Sequence, residues 1–165
     1  ADEKAQHQGN LGGHARVVSA AGSSSSAGGW NEKEMKERAR LTAIALHVAF
    51  ETNDIEGLRD LTDPKFLERI QCLLQEFVDR GERREFPNLC VRRVDLAMAR
   101  PANGQKPDEF IARVTLHAQR VKTVNGQSIV QDEDVGKFQK LLHFQRQHGK
   151  FVLTDLPEAP GETPA

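Results

Sequence analysis

The stretch Asn53-Asp54-Ile55-Glu56-Gly57-Leu58-Arg59-Asp60-Leu61-Thr62-Asp63-Pro64-Lys65-Phe66-Leu67 separates two amphipathic runs and carries the densest local signals in the chain. Asp54 is placed to cap a short turn. Asp63 before Pro64 reads as a helix N-cap followed by proline at the first helical position. Ile55, Leu58 and Leu61 lie one turn apart, which predicts a short helix over 55–61. One helix precedes this stretch. A second helix and then strands follow it, so the chain reads as helices first and sheet after.

Upstream, Asn31-x-x-Glu34 has the spacing of a capping box. Met35, Leu41, Ile44, Ala45 and Val48 recur at three- and four-residue intervals, with Leu46 and Phe50 widening the stripe. These residues are expected to face the core, Lys33, Glu37, Arg38 and Arg40 to face water, and the helix to end at Thr52. Downstream, Phe66, Leu67, Ile70, Leu73, Leu74 and Phe77 form a continuous apolar stripe. They predict a helix from Pro64 to about Arg80, with Gly81 in the left-handed position past its end.

From Phe86 the period changes to two. Leu89 and Val91 alternate, and Val94, Leu96 and Met98 then alternate in the opposite phase, which places a bulge at Arg92-Arg93. Pro101-Ala102-Asn103-Gly104 is a turn. Phe110, Ala112, Val114, Leu116 and Ala118 alternate with Ile111, Arg113, Thr115, His117 and Gln119, as in a strand buried on one side. Asn125-Gly126 is a two-residue hairpin signal. Phe138, Leu142 and Phe144 share a phase, and His148-Gly149 turns the chain into Phe151-Val152-Leu153. The class is α+β, with N-terminal helices packed on one face of a curved antiparallel sheet. Such a bent sheet closes into a cone. The apolar phases would wall its interior, with Phe66, Ile70, Phe77, Leu116 and Phe144 as the expected pocket lining.

The 165 residues suit one domain with flanking segments. Residues 1–29 hold Gly12-Gly13, Ser23-Ser24-Ser25-Ser26 and Gly28-Gly29 and read as a flexible linker. Trp30 ends that linker, the domain spans 30–156, and the proline-marked 157–165 reads as a disordered tail. With 23 Lys and Arg against 24 Asp and Glu, the net charge of -1 argues against a nucleic-acid binder. No run approaches the length of apolar sequence needed to span a bilayer. The chain opens on polar Ala1-Asp2-Glu3-Lys4 without an initiator methionine. It is read as a fragment or processed form, with any anchoring segment upstream.

Catalytic motifs do not stand out. His117 and His143 occupy the polar phases of their strands, His47 lies at the edge of its helical stripe, and none has a carboxylate at a local spacing that fixes a tautomer. His7 and His14 fall in the linker. Asp132-Glu133-Asp134 lacks the glycine and terminal glutamate of a calcium loop and reads as a solvated turn. Cys72 and Cys90 have no metal spacing and read as free thiols, with a bridge between them left open. No metal and no cofactor is implied. Arg80, Arg83 and Arg84 at the second helix end, with Arg92 and Arg93, are the candidate contacts for an anionic lipid surface or an acidic partner.

The run Ala49-Phe50-Glu51-Thr52-Asn53-Asp54-Ile55-Glu56-Gly57-Leu58-Arg59, followed by Leu61-Thr62-Asp63-Pro64-Lys65-Phe66-Leu67, resembles the Tim44-like domain. Gly81-Glu82-Arg83-Arg84 with Val91-Arg92-Arg93-Val94-Asp95-Leu96 is similar to that family's entry into its first strand. Phe138 to Leu153 is similar to its closing hairpin, with Phe151 where the family usually has tryptophan. The resemblance covers Trp30 to Leu156. It implies the cystatin-like or nuclear transport factor two-like cone and a non-catalytic module tethered to a membrane, bacterial inner rather than mitochondrial. Such a module docks a protein partner, an anionic lipid or both. Two other readings stand beside it: a small-molecule-binding or isomerase/dehydratase-type protein using the cone interior, and a homodimer formed through the sheet face bearing Arg113, Thr115 and His117.

Overall fold

In the computed structural model, which describes residues 31–131 and 135–158, two helices precede the strands. Helix α1 is Glu32–Thr52, a 3-10 turn covers Glu56–Leu58, and α2 is Pro64–Asp79. The strands are β1 Glu82–Glu85, β2 Cys90–Arg100, β3 Glu109–Ala118, β4 Val121–Val124, β5 Gln127–Gln131, β6 Gly136–Gln147 and β7 Lys150–Asp155. The expected linker, Trp30, the acidic run Asp132-Glu133-Asp134 and residues 159–165 of the expected tail lie outside the described residues.

Capping chemistry sets the helix ends. Asn31 Oδ1 accepts the Glu34 amide at 3.1 Å, and Asn53 closes α1 in the left-handed region, donating its N–H to the Ala49 carbonyl at 2.8 Å. Asp54 Oδ1 accepts the Glu56 amide at 3.0 Å. The helix expected over 55–61 is only a three-residue 3-10 turn; its Leu58 and the preceding Ile55 are buried. Asp63 caps α2 through the Lys65 and Phe66 amides at 3.1 and 3.2 Å. Gly81 has a φ of 69°, and a Cβ there would run into the Asn125 side chain. Glycine therefore lets the end of α2 lie against the β4–β5 turn.

Helix α1 is rotated from the expected face. Its buried side chains are Met35, Ala39, Thr42, Ala43, Leu46, His47, Ala49 and Phe50, whereas Leu41 and Val48 are each 48% exposed. Ile44 and Ala45 are only partly buried. Small Ala39, Ala43 and Ala49 let the helix approach β2 and β3, where Ala112 and Ala118 are fully buried. Close backbone approach, rather than side-chain size, selects the inward face. Arg38 is not a solvent-facing charge either: its Nε donates to the Phe151 carbonyl at 2.8 Å and Nη2 to that of Asp60 at 2.9 Å.

The strands form two antiparallel sheets, β2-β3-β6-β7 and β1-β4-β5. Between β3 and β6 in the chain, the β4–β5 hairpin leaves the larger sheet and pairs with β1, so the strands divide into two sheets where one curved sheet was expected. Both Asn125-Gly126 and His148-Gly149 have positive φ at each residue, as tight hairpins require. The bulge expected near Arg92-Arg93 lies between Val91 and Arg93, and a second lies between Leu96 and Met98. This second bulge turns Ala99 inward in place of Met98. On the far edge, Leu153 exchanges backbone bonds with Leu61 and Asp63 at 2.8 and 2.9 Å, so the stretch between the helices covers β7. The core lies between the helices and the inward phases of the larger sheet. Phe110 stacks on Phe144 at 4.8 Å and meets Phe151 edge-on at 4.8 Å.

Candidate functional site

The five arginines do not form one cationic surface. Arg84 and Glu82 point into the fold from β1, with side chains only 8% and 9% exposed. The Arg84 guanidinium lies 3.6 Å from the centre of the Phe77 ring and donates to Glu82 Oε1 at 3.2 Å. Arg80 reaches the other Glu82 oxygen at 2.8 Å, and Lys122 Nζ lies 3.7 Å from Oε1. Burial alone would raise the Glu82 carboxyl, but Lys122, Arg80 and Arg84 hold it below its ordinary value. Arg93 pairs with Asp95 at 3.0 Å. Arg83 and Arg92 are exposed and, among the described residues, have no ion-pair partner; they sit on strands of different sheets.

The five residues expected to line the cone interior also separate. Phe77, Leu116 and Phe144 are buried in the packed core. Phe66 and Ile70 instead line an open groove of about 570 Å³ between α2 and the end of β7, within the size range of binding clefts, about 300–1,000 Å³. Buried Phe50, Phe66 and Ile70 form its floor, and Leu73, 36% exposed, and half-buried Leu156 add apolar surface to its walls. The row Glu68, Cys72, Glu76 runs along α2, each residue one turn beyond the last, while Asp155 comes from β7. Arg69 also lines the groove, its guanidinium 5.2 Å from the centre of the Phe66 ring. A smaller cleft of about 190 Å³ is lined by Asn53, Asp54, Glu56, Arg59, Gln71 and Gln75 with only Ile55, Leu74 and Val78 apolar.

Two histidines, His47 and His143, have partners within the fold. His47 is buried, with Nδ1 2.8 Å from the Ala43 carbonyl and its ring edge-on to Phe86 at 4.8 Å. Burial lowers its pKa to about 4; the Ala43 bond opposes that shift and Lys140 adds to it. His143 has the carboxylate partner that local spacing could not reveal: Glu109 Oε1 lies 2.8 Å from its Nε2, while Glu109 Oε2 accepts from Arg100 at 2.7 Å. Cys72 and Cys90 are both free and exposed. Among the described residues, no three His, Cys, Asp or Glu side chains gather to hold a metal, and no helix is long and apolar enough to cross a membrane.

Leu73 and Leu156 escaped sequence reasoning as site residues. Leu73 continues the apolar stripe of α2 and so reads as core; Leu156 follows a strand end and has no periodic neighbour. Only the placement of α2 against β7 shows that both border one groove.

Comparisons with known proteins join this geometry to a family. A family model described as Tim44-like domain matches residues 21–155. The chain is similar in fold to the crystal structure of the intermembrane space region of the chloroplast protein ARC6. That match has 12% identity and a TM-score of 0.55, covering 77% of this chain and 95% of that one. A de novo β-sheet design solved by solution NMR is 16% identical over 79% of this chain and 95% of its own, with a TM-score of 0.39. No curated protein matches.

Proposed function

The chain belongs to the Tim44-like domain family, and on that premise we propose that it is a membrane-associated, non-catalytic module that docks a protein segment in the groove between α2 and β7. The observation that carries this reading is the apolar wall at Leu73 and Leu156 over the Phe50, Phe66 and Ile70 floor. A solvent-facing apolar channel gains free energy when a partner covers it, at about 25 cal/mol per Å² of apolar surface removed from water. A contribution from anionic lipid would fall to Arg83 and Arg92, two separated cations and a weaker basis than a continuous patch. The small-molecule or isomerase-type alternative has less support, because Phe77, Phe110, Leu116 and Phe144 pack together where its interior pocket would lie. A second copy docking on the outer sheet face has no feature as specific as the groove behind it.

Photo-crosslinking in native cells tests the docking reading. A photoreactive residue at position 73 is expected to give a discrete protein adduct that is lost on Leu156→Asp, while one at Gln139, exposed on the outer sheet face, gives none. Equal adducts at both positions, or lipid adducts alone at position 73, would overturn it.

A further inference from the structure

Accepting the docking reading above, we propose that the groove selects protein segments that are apolar along one face and basic along their edges. Its polar lining is three carboxylates, Glu68, Glu76 and Asp155, against one guanidinium, Arg69, a net of two negative charges around an apolar floor. Glu68 and Glu76 are exposed and have no ion-pair partner among the described residues, so their charges face the space a ligand would enter. Asp155 is exposed as well, and its Oδ1 accepts the Leu156 amide at 2.9 Å, which fixes the carboxylate at the groove wall. Arg69 is drawn over the Phe66 ring, so the single cation is held at the floor aromatic.

Charge complementarity narrows the occupant. An anionic lipid headgroup would enter a negative field and be repelled. Residues 157–165 of this chain fail for the same reason: they carry Glu158 and Glu162, no Lys or Arg, and no large apolar side chain after Leu156. A lysine- or arginine-edged segment of another protein matches both features, its apolar side chains on Phe50, Phe66, Ile70 and Leu73 and its cations against Glu68, Glu76 and Asp155. The row 68, 72, 76 runs along α2 at a shallow angle to its axis, so the natural ligand geometry is an amphipathic helix laid obliquely beside α2.

The test is fluorescence anisotropy with two labelled peptides, each about four helical turns long. They share one leucine stripe and differ only in lysine or glutamate at the flanking positions. The full chain is expected to bind the lysine peptide about ten-fold more tightly than the glutamate peptide at low salt, a preference that added salt diminishes. The triple variant Glu68→Gln, Glu76→Gln, Asp155→Asn is expected to bring the two affinities together, whereas Leu73→Asp weakens both peptides. Equal binding of the two peptides to the wild-type chain would overturn charge selection and leave the docking reading standing. Binding to vesicles of anionic lipid with no binding of either peptide would overturn the docking reading itself.

Discussion

Glu82→Ala is expected to destabilise the fold by about 3 kcal/mol and to lower the melting temperature by about 10 °C. Glu82 is the shared acceptor for Arg84 and Arg80, and Lys122 approaches it at 3.7 Å. Removing the carboxylate strands the Arg84 guanidinium against the Phe77 ring with its counter-charge gone. Arg80 and Lys122 can turn toward water, which keeps the cost at the low end for breaking a buried pair. The companion variant Glu82→Leu with Arg84→Met replaces the pair by apolar atoms of similar bulk and is expected to recover most of the loss. Urea unfolding of both variants measures this. A Glu82→Ala chain within about 0.5 kcal/mol of wild type, the range of ordinary surface changes, would mean that the network is hydrated rather than buried.

The second large effect is a loss of stability between pH 6.5 and 4. His47 has a folded pKa of about 4 against the ordinary imidazole value of 6.5. Above pH 6.5 it is neutral in both states and exerts no pH dependence. As pH falls below 6.5 the unfolded chain takes up a proton that the folded chain refuses, so stability declines until folded His47 titrates near 4. The full decline is about 3 kcal/mol. Glu82, whose folded pKa is depressed, adds its own loss only at lower pH, as acid titrates the carboxylate. His47→Phe preserves an aromatic ring among Phe50, Phe86 and Phe138 and removes the titration. Its stability is therefore expected to be flat across the upper window, and a wild-type slope retained in this variant would assign the effect elsewhere.

Much of the architecture is legible because local chemistry sets it. Asp63-Pro64 starts α2, Asn125-Gly126 and His148-Gly149 make the tight turns, and the strict alternation of β3 places five buried side chains from Phe110 to Ala118. The orientation of α1 is not legible in this way. That helix has apolar residues on both faces, and counting large ones favours Leu41 and Val48, whereas the sheet accepts the alanine face. Strand β1 is hidden because its four residues are all charged; Glu82 and Arg84 become interior only through each other and Phe77. The candidate groove is less legible: the apolar phases assign Phe66 and Ile70 to the cone interior, an amphipathic stripe cannot say that Leu73 borders an opening, and nothing local ties residue 73 to Leu156. The His143–Glu109 pair escaped for the same reason, its partners lying on neighbouring strands 34 residues apart.

The two natural cysteines provide the most direct test of the groove as a docking site. Cys72 lines the groove and Cys90 opens β2 outside it, and both are exposed and free. Alkylation rates of the two thiols can be compared in native membranes and in the purified wild-type chain. Docking predicts that Cys72 is slowed about ten-fold or more in membranes, as a mostly occupied site requires, while Cys90 reacts alike in both settings. Equal Cys72 rates in the two preparations would contradict occupation of the groove.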